Sequence, residues 1–140
     1  MIEDVIARWH QHLRGELEGG LDTLLDNDVV FYSPIVYTPQ RGKAITAQYL
    51  SAASVALPGE ASSAPTASES KFHYTKEVIS GSHAVLEFET SIEGKYVNGV
   101  DIITCNEKGL ISEFRVMIRP LQAVNLVHRQ MGEVLEKMKG

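Results

Sequence analysis

The chain has one cysteine, Cys105, in 140 residues. An internal disulfide is therefore excluded, stability has to come from packing, and a cytoplasmic location is expected. Basic charge is scarce as well: 13 Lys and Arg stand against 18 Asp and Glu, for a formal charge of -5, and no lysine or arginine cluster interrupts that balance. Such a surface repels phosphate backbones, so nucleic acid is not an expected partner. Long apolar runs are missing. The opening Met1-Ile2-Glu3-Asp4-Val5 lacks the basic stretch and apolar core of a secretory signal, no later segment could span a bilayer, and no membrane partner is expected. A phosphate-cradling lysine loop and a dinucleotide glycine fingerprint are both lacking, and Ser33 and Ser112 have no nucleophile-elbow glycines around them. No histidine pair at helical spacing is joined by a carboxylate, and a lone cysteine cannot build a thiolate metal site. Neither a metal nor another cofactor is expected.

What is present suits one folded domain: 44% hydrophobic and 22% charged residues, enough for a single core. Val5, Ile6, Trp9, His12 and Leu13 recur at three- and four-residue steps, which predicts a helix over 4–14 capped by Asp4. Leu17, Leu21, Leu24 and Leu25 predict a second short helix, with Gly19 and Gly20 acting against it. Asp26-Asn27-Asp28 reads as a turn and Val29 to Tyr32 as a strand, while Pro34 and Pro39 limit its extension. A third helix runs from Gly42, with Ile45, Tyr49, Leu50 and Ala53 on one face, until Pro58 ends it. The stretch 58–70, rich in Ala, Ser, Gly and Pro, reads as a mobile loop beside an opening. Strands over 72–79, 83–92, 96–105 and 110–118 then follow with short turns between them, which predicts an antiparallel meander. After Pro120, Val124, Val127, Met131, Leu135 and Met138 mark an amphipathic helix. Helices followed by a mostly antiparallel sheet, with the helices on one face, define an α+β class.

Alternation within the strands sorts the two faces. Phe114, Val116 and Ile118 share one side with the inward-facing Ala84, Leu86 and Phe88; Val85, Glu87, Arg115, Met117 and Arg119 fall on the other. The second face is a mixture of apolar and charged residues that fits either solvent or a subunit interface. Asp101 is the most informative position. It shares the side of Gly99, Ile103 and Cys105, where a carboxylate is costly unless it is hydrogen-bonded, protonated or functional. One reading places it toward solvent or against an arginine. The other places it in a cavity between helices and sheet, where it exchanges a proton with a bound small molecule and has a raised pKa. Trp9, His12, Tyr32, Tyr49 and Phe72, with Phe114, Val116 and Ile118 from the dry sheet face, are the candidate ligand-binding residues. Tyr37, Tyr74 and Tyr96 are further candidates for the aromatic lining. As a set they favour an apolar ligand over a sugar phosphate. Taken singly, each aromatic also fits an ordinary core or rim position, and His12 also fits a hydrogen-bonded core residue rather than a base.

Four segments resemble the NTF2-like superfamily and, within it, the SnoaL-like branch that includes polyketide cyclases. They are Leu25-Asp26-Asn27-Asp28-Val29-Val30-Phe31-Tyr32-Ser33-Pro34, Arg41-Gly42-Lys43-Ala44-Ile45, Asn98-Gly99-Val100-Asp101-Ile102-Ile103, and Asn106-Glu107-Lys108-Gly109-Leu110-Ile111 leading into Phe114-Arg115-Val116. The resemblance implies a cone-shaped, strongly curved, mostly antiparallel sheet with helices on its concave face. Residues 1–120 correspond to the superfamily's domain, and 121–140 to a terminal helix of the same domain. It also implies a homodimer through the outer sheet face, with Val85, Glu87, Arg115, Met117 and Arg119 in the interface. Ketosteroid isomerase, a distant member, combines a carboxylate base with a tyrosine and a protonated aspartate that hold an oxyanion. By this resemblance Asp101 matches the protonated aspartate, Ser33 stands where the base would be, and Trp9 or Arg8 matches the tyrosine. The water-holding Asp-Arg-Asp arrangement of limonene-type epoxide hydrolases has no match beyond Asp101, since Arg115 points the other way. Fold analogy alone does not assign a reaction. Three functions remain: an isomerase, cyclase or hydrolase with Asp101 as its acid-base group, a non-catalytic ligand-binding domain, and a dimeric interaction module.

Overall fold

The computed structural model describes residues 1–56 and 72–139. The loop expected over 58–70 lies outside them. The elements, in chain order, are α1 (Ile2–Leu13), β1 (Leu25–Tyr32), β2 (Gln40–Arg41), α2 (Lys43–Ala56), β3 (His73–Ser80), β4 (His83–Ile92), β5 (Lys95–Cys105), β6 (Ile111–Arg119) and α3 (Leu121–Lys139).

Helix α1 forms because Ile2, Val5, Ile6 and Trp9 lie on one stripe and are all buried, with Glu3 and Asp4 in the first turn and His10 and His12 in the last. It starts two residues before the expected cap, so Asp4 belongs to the first turn rather than capping it. The second expected helix is reduced to a single 3₁₀ turn, Gly20–Thr23. Gly15, Gly19 and Gly20 all take positive φ, a conformation that cannot continue a right-handed helix. Leu25 instead opens β1, which carries an irregularity between Leu25 and Val30 where the Asp26 carboxylate accepts the Asp28 backbone N–H at 2.8 Å.

The six strands form one sheet in the order β2-β1-β6-β5-β4-β3. The meander β3-β4-β5-β6 is antiparallel throughout, and β1 joins β6 in parallel. The expectation of a strongly curved cone is corrected here. The sheet is open, with separate edges at β2 and β3, and is neither closed nor strongly curled. Closure needs a continuous ladder of tilted strands, and the two-residue β2 ends this one. What stands is a mixed α+β architecture. Among the described residues no helix is long and apolar enough to cross a membrane.

Two apolar clusters make the core. One gathers Ile2, Val5, Ile6 and Trp9 of α1 with Phe31, Leu86, Ile103 and Phe114. The other packs Ala123, Leu126 and Val127 of α3 on Phe88, Ile92 and Val97. Tyr74 and Val116 touch both clusters, so the seam between them runs across the middle of the sheet. Gly99 shapes that seam. A Cβ there would lie 2.4 Å from Phe88 Cζ and 2.5 Å from the Met117 carbonyl oxygen. The missing side chain lets the Phe88 ring cross β5 beside Asp101. Gly99→Ala is therefore expected to destabilise the fold by about 1–3 kcal/mol through overpacking, as a lower urea midpoint; an unchanged midpoint would show that Phe88 has room to move.

Candidate functional site

Strand register places the carboxyl. Asp101 lies opposite Leu86 of β4 and Val116 of β6, so one inward-facing row reads Leu86, Asp101, Val116. The residue is 5% exposed. Among the described residues no cation pairs with it. Its partner is a hydroxyl: Tyr74 Oη donates to Asp101 Oδ2 at 2.5 Å, and Trp9 Nε1 donates to Tyr74 Oη at 2.9 Å. Helix α1, strand β3 and strand β5 thus meet in one short hydrogen-bond chain.

Burial in this apolar row pushes the Asp101 carboxyl up to about 7, against a smaller opposing effect of the bond from Tyr74. The Tyr74 ring is only partly covered, but its hydroxyl is enclosed between Trp9 and Asp101. Burial first, then the neighbouring carboxylate, hold the phenol well above its ordinary value. Near neutral pH the chain Trp9, Tyr74, Asp101 is a series of donors ending at a carboxyl that is able to give or take a proton.

This chain opens onto a cavity of about 790 Å³, within the range that takes a small organic ligand. Trp9, His12, Tyr49 and Phe72 line it from the helices and the sheet edge. Asp101, Phe114, Val116 and Ile118 line it from the sheet. Aromatic contacts knit the lining, with Phe72 stacked on Phe88 at 4.8 Å and Trp9 tilted against Phe114 at 5.0 Å. Tyr32 is placed elsewhere. It is not among the cavity residues, and the Arg115 guanidinium lies over its ring at 3.8 Å on the other sheet face. The side chains of β1 alternate, so a residue next to the inward Phe31 has to point outward. Tyr37 is fully exposed, and Tyr96 donates to Glu89 at 2.5 Å away from the cavity.

Of the two candidates on α1 for the oxyanion-holding position, Trp9 is at the site and Arg8 is not. Arg8 donates instead to the backbone carbonyls of Thr23 and Gly109. Ser33 lines the cavity, its Oγ accepting the backbone N–H of Ile35 at 3.0 Å and of Val36 at 3.3 Å. The tyrosine beside the aspartate comes from β3, as Tyr74. The sequence offered Tyr74 only as one aromatic among several; a signal for its role was its two-residue spacing from Phe72, which puts both on the inward face. His10 and Glu77 sit at the cavity rim, 2.6 Å apart. Among the described residues no group of three or more His, Cys, Asp or Glu is arranged to hold a metal ion.

No protein-family model matches the chain, and comparison with curated proteins finds no match. Solved structures do match. A steroid delta-isomerase from Pseudomonas aeruginosa superposes with a TM-score of 0.84 at 26% identity, covering 98% of this chain and 93% of that one. An uncharacterised bacterial protein with a cystatin-like fold from Silicibacter pomeroyi gives 0.76 at 29% identity, over 92% and 83% of the two chains. An NTF2-like protein from Mesorhizobium loti gives 0.66 at 16% identity, over 85% and 91%, a likeness of fold alone.

The raised Asp101 pKa makes a stability prediction. Between about 4 and 7 the folded chain holds a proton that the unfolded chain has released, so stability falls as pH rises through that window, by on the order of 4 kcal/mol at full burial. Asp101→Asn is expected to remove this slope in urea unfolding measured from pH 4 to 7.5. The same slope in both proteins would place the proton on another group.

Proposed function

For this chain, which has the NTF2-like fold and a distant similarity to ketosteroid isomerase, we propose acid-base action of Asp101 on a small apolar ligand carrying an oxygen. The supporting observation is the donor chain Trp9, Tyr74, Asp101 at one end of a cavity lined mostly by aromatic and aliphatic side chains. A protonated Asp101, fixed by Tyr74, donates to a ligand carbonyl or phenol oxygen and stabilises negative charge that develops there. Beside a carboxyl that is 5% exposed that stabilisation is worth more than in solvent. Enolisation-type isomerisation, aldol-type cyclisation and acyl hydrolysis of a planar, aromatic or polyketide-like compound each develop negative charge on such an oxygen. A non-catalytic ligand-binding domain is the second reading, favoured by Ser33 at the position where the resemblance expects a carboxylate base, since a serine hydroxyl is no base at neutral pH.

The outer sheet face is proposed as a homodimer surface. Cross-strand register lines up Val78, Val85 and Ile102, with Val100 next to Met117 in the adjoining row. Val78 and Met117 are 54% and 51% exposed, an apolar centre among Glu87, Arg115 and Arg119. Met117→Asp is expected to halve the mass seen in sedimentation equilibrium at micromolar concentration. A wild-type chain that is already a monomer would sink this proposal without touching the cavity.

The cavity reading is tested with 2-naphthol, whose phenol mimics an enolate oxygen on a flat apolar body. Binding followed by naphthol fluorescence is expected to weaken as pH rises through about 7, where Asp101 loses its proton, and Asp101→Asn is expected to abolish that dependence. No binding, or an unaltered pH profile in the variant, would remove Asp101 from the ligand.

A further inference from the structure

Resting on the cavity reading just given, we propose that His12 is the general base of this site. It would take a proton from the carbon next to the carbonyl whose oxygen Asp101 holds.

His12 follows Trp9 by one turn of α1, lines the cavity, and packs its ring against the indole at 5.5 Å between centroids. The indole N–H points to Tyr74, so Trp9 contacts both the imidazole and the hydroxyl that holds Asp101. A flat ligand lying along the indole would have its oxygen at Asp101 and its acidic C–H toward His12. Among the described residues none hydrogen-bonds the His12 ring. The other cavity groups able to take a proton are committed or peripheral. His10 and Glu77 bond each other at 2.6 Å, His73 lies 3.8 Å from Glu89, and His128 is exposed on α3. Burial lowers the His12 pKa below its ordinary 6.5, which leaves the ring neutral, with a free lone pair, at pH 7.

The step balances without an oxidant or added reagent. An imidazole nitrogen accepts the proton from carbon, the C–H electron pair moves into the new C=C bond, and the carbonyl π pair moves onto the oxygen held by Asp101. The imidazolium then returns the proton to the same carbon, which gives exchange with solvent, or to a conjugated carbon, which gives an isomer. Activity needs His12 neutral and Asp101 protonated. Around the cavity the titratable or charged groups facing them are His10 of α1 and Arg14 just after it, Tyr49 of α2, His73, Tyr74 and Glu77 of β3, and His128 of α3. Arg14 is paired with Glu16 at 2.9 Å, and Glu77 is taken up by His10.

The test is deuterium incorporation at the acidic carbon of 2-tetralone, a flat bicyclic ketone, followed by proton NMR in heavy water with the full chain. Wild-type protein should accelerate exchange over a buffer blank, with a rate that rises through the lowered His12 pKa and falls above about 7. His12→Ala should cut the acceleration about 100-fold or more, and imidazole added to the buffer should restore part of it, which a merely structural histidine would not allow. His12→Gln repeats the measurement with a side chain closer in size, should the alanine variant fail to fold. Exchange that survives in the folded variant overturns the assignment and leaves Asp101 its role. Absence of wild-type exchange while 2-naphthol still binds overturns it equally. Loss of 2-naphthol binding in wild-type protein marks the failure of the cavity reading itself.

Discussion

A buried carboxyl group with no cation beside it among the described residues is the constraint on which the site depends. Leu86 and Val116 flank Asp101 across the strands, and among the described residues its one hydrogen-bond partner is the hydroxyl of Tyr74, itself steadied by Trp9. Desolvation outweighs that single hydrogen bond, so the group keeps its proton to near neutrality instead of ionising at the ordinary aspartate value. An arginine in place of Tyr74 would hold a permanent carboxylate. A hydroxyl holds a group that changes state near pH 7, where proton transfer is most useful.

The rest of the molecule can be understood as the means of keeping that carboxyl dry and aimed. Strand β5 carries it in the interior of the sheet, two strands from the β3 edge. Gly99, next but one along the strand, gives up its side chain so that Phe88 can cover the floor. Helix α1 brings Trp9 and His12 over one side, and α3 closes the other with Val127 and Met131. Edge strand β3 pairs with β4 and presents Tyr74 on the same inner face as Asp101. Polar groups are concentrated at two places, the Asp101 end and the rim, with aromatic and aliphatic surface between them.

Much of this was legible before any coordinates. Period-two alternation puts Asp101 on the side of Gly99, Ile103 and Cys105 and leaves its cavity or solvent position open, and helical spacing puts His12 on the face of Trp9. Those signals are local and repeat over several residues, which makes them robust. What failed did so for identifiable reasons. Leucine spacing over 17–25 looked helical, but three glycines with positive φ ended the helix there, and local backbone freedom won over periodicity. Tyr32 was grouped with the cavity aromatics on residue type, although its neighbour Phe31 already fixed it to the opposite face. The strongly curved cone came from resemblance rather than from residues, and the open ladder replaces it. The partnership of Tyr74 with Asp101 spans 27 residues of chain, and no local pattern encodes a contact between strands two apart in a meander.

Carbon-13 NMR of the Asp101 side-chain carboxyl, assigned by its loss in Asp101→Asn, follows this proton without any ligand or substrate. The account predicts one titration with its midpoint near 7 in the free protein. A midpoint at the ordinary aspartate value near 4 would mean that the carboxyl is solvated and ionised, and the cavity would then have no proton to exchange.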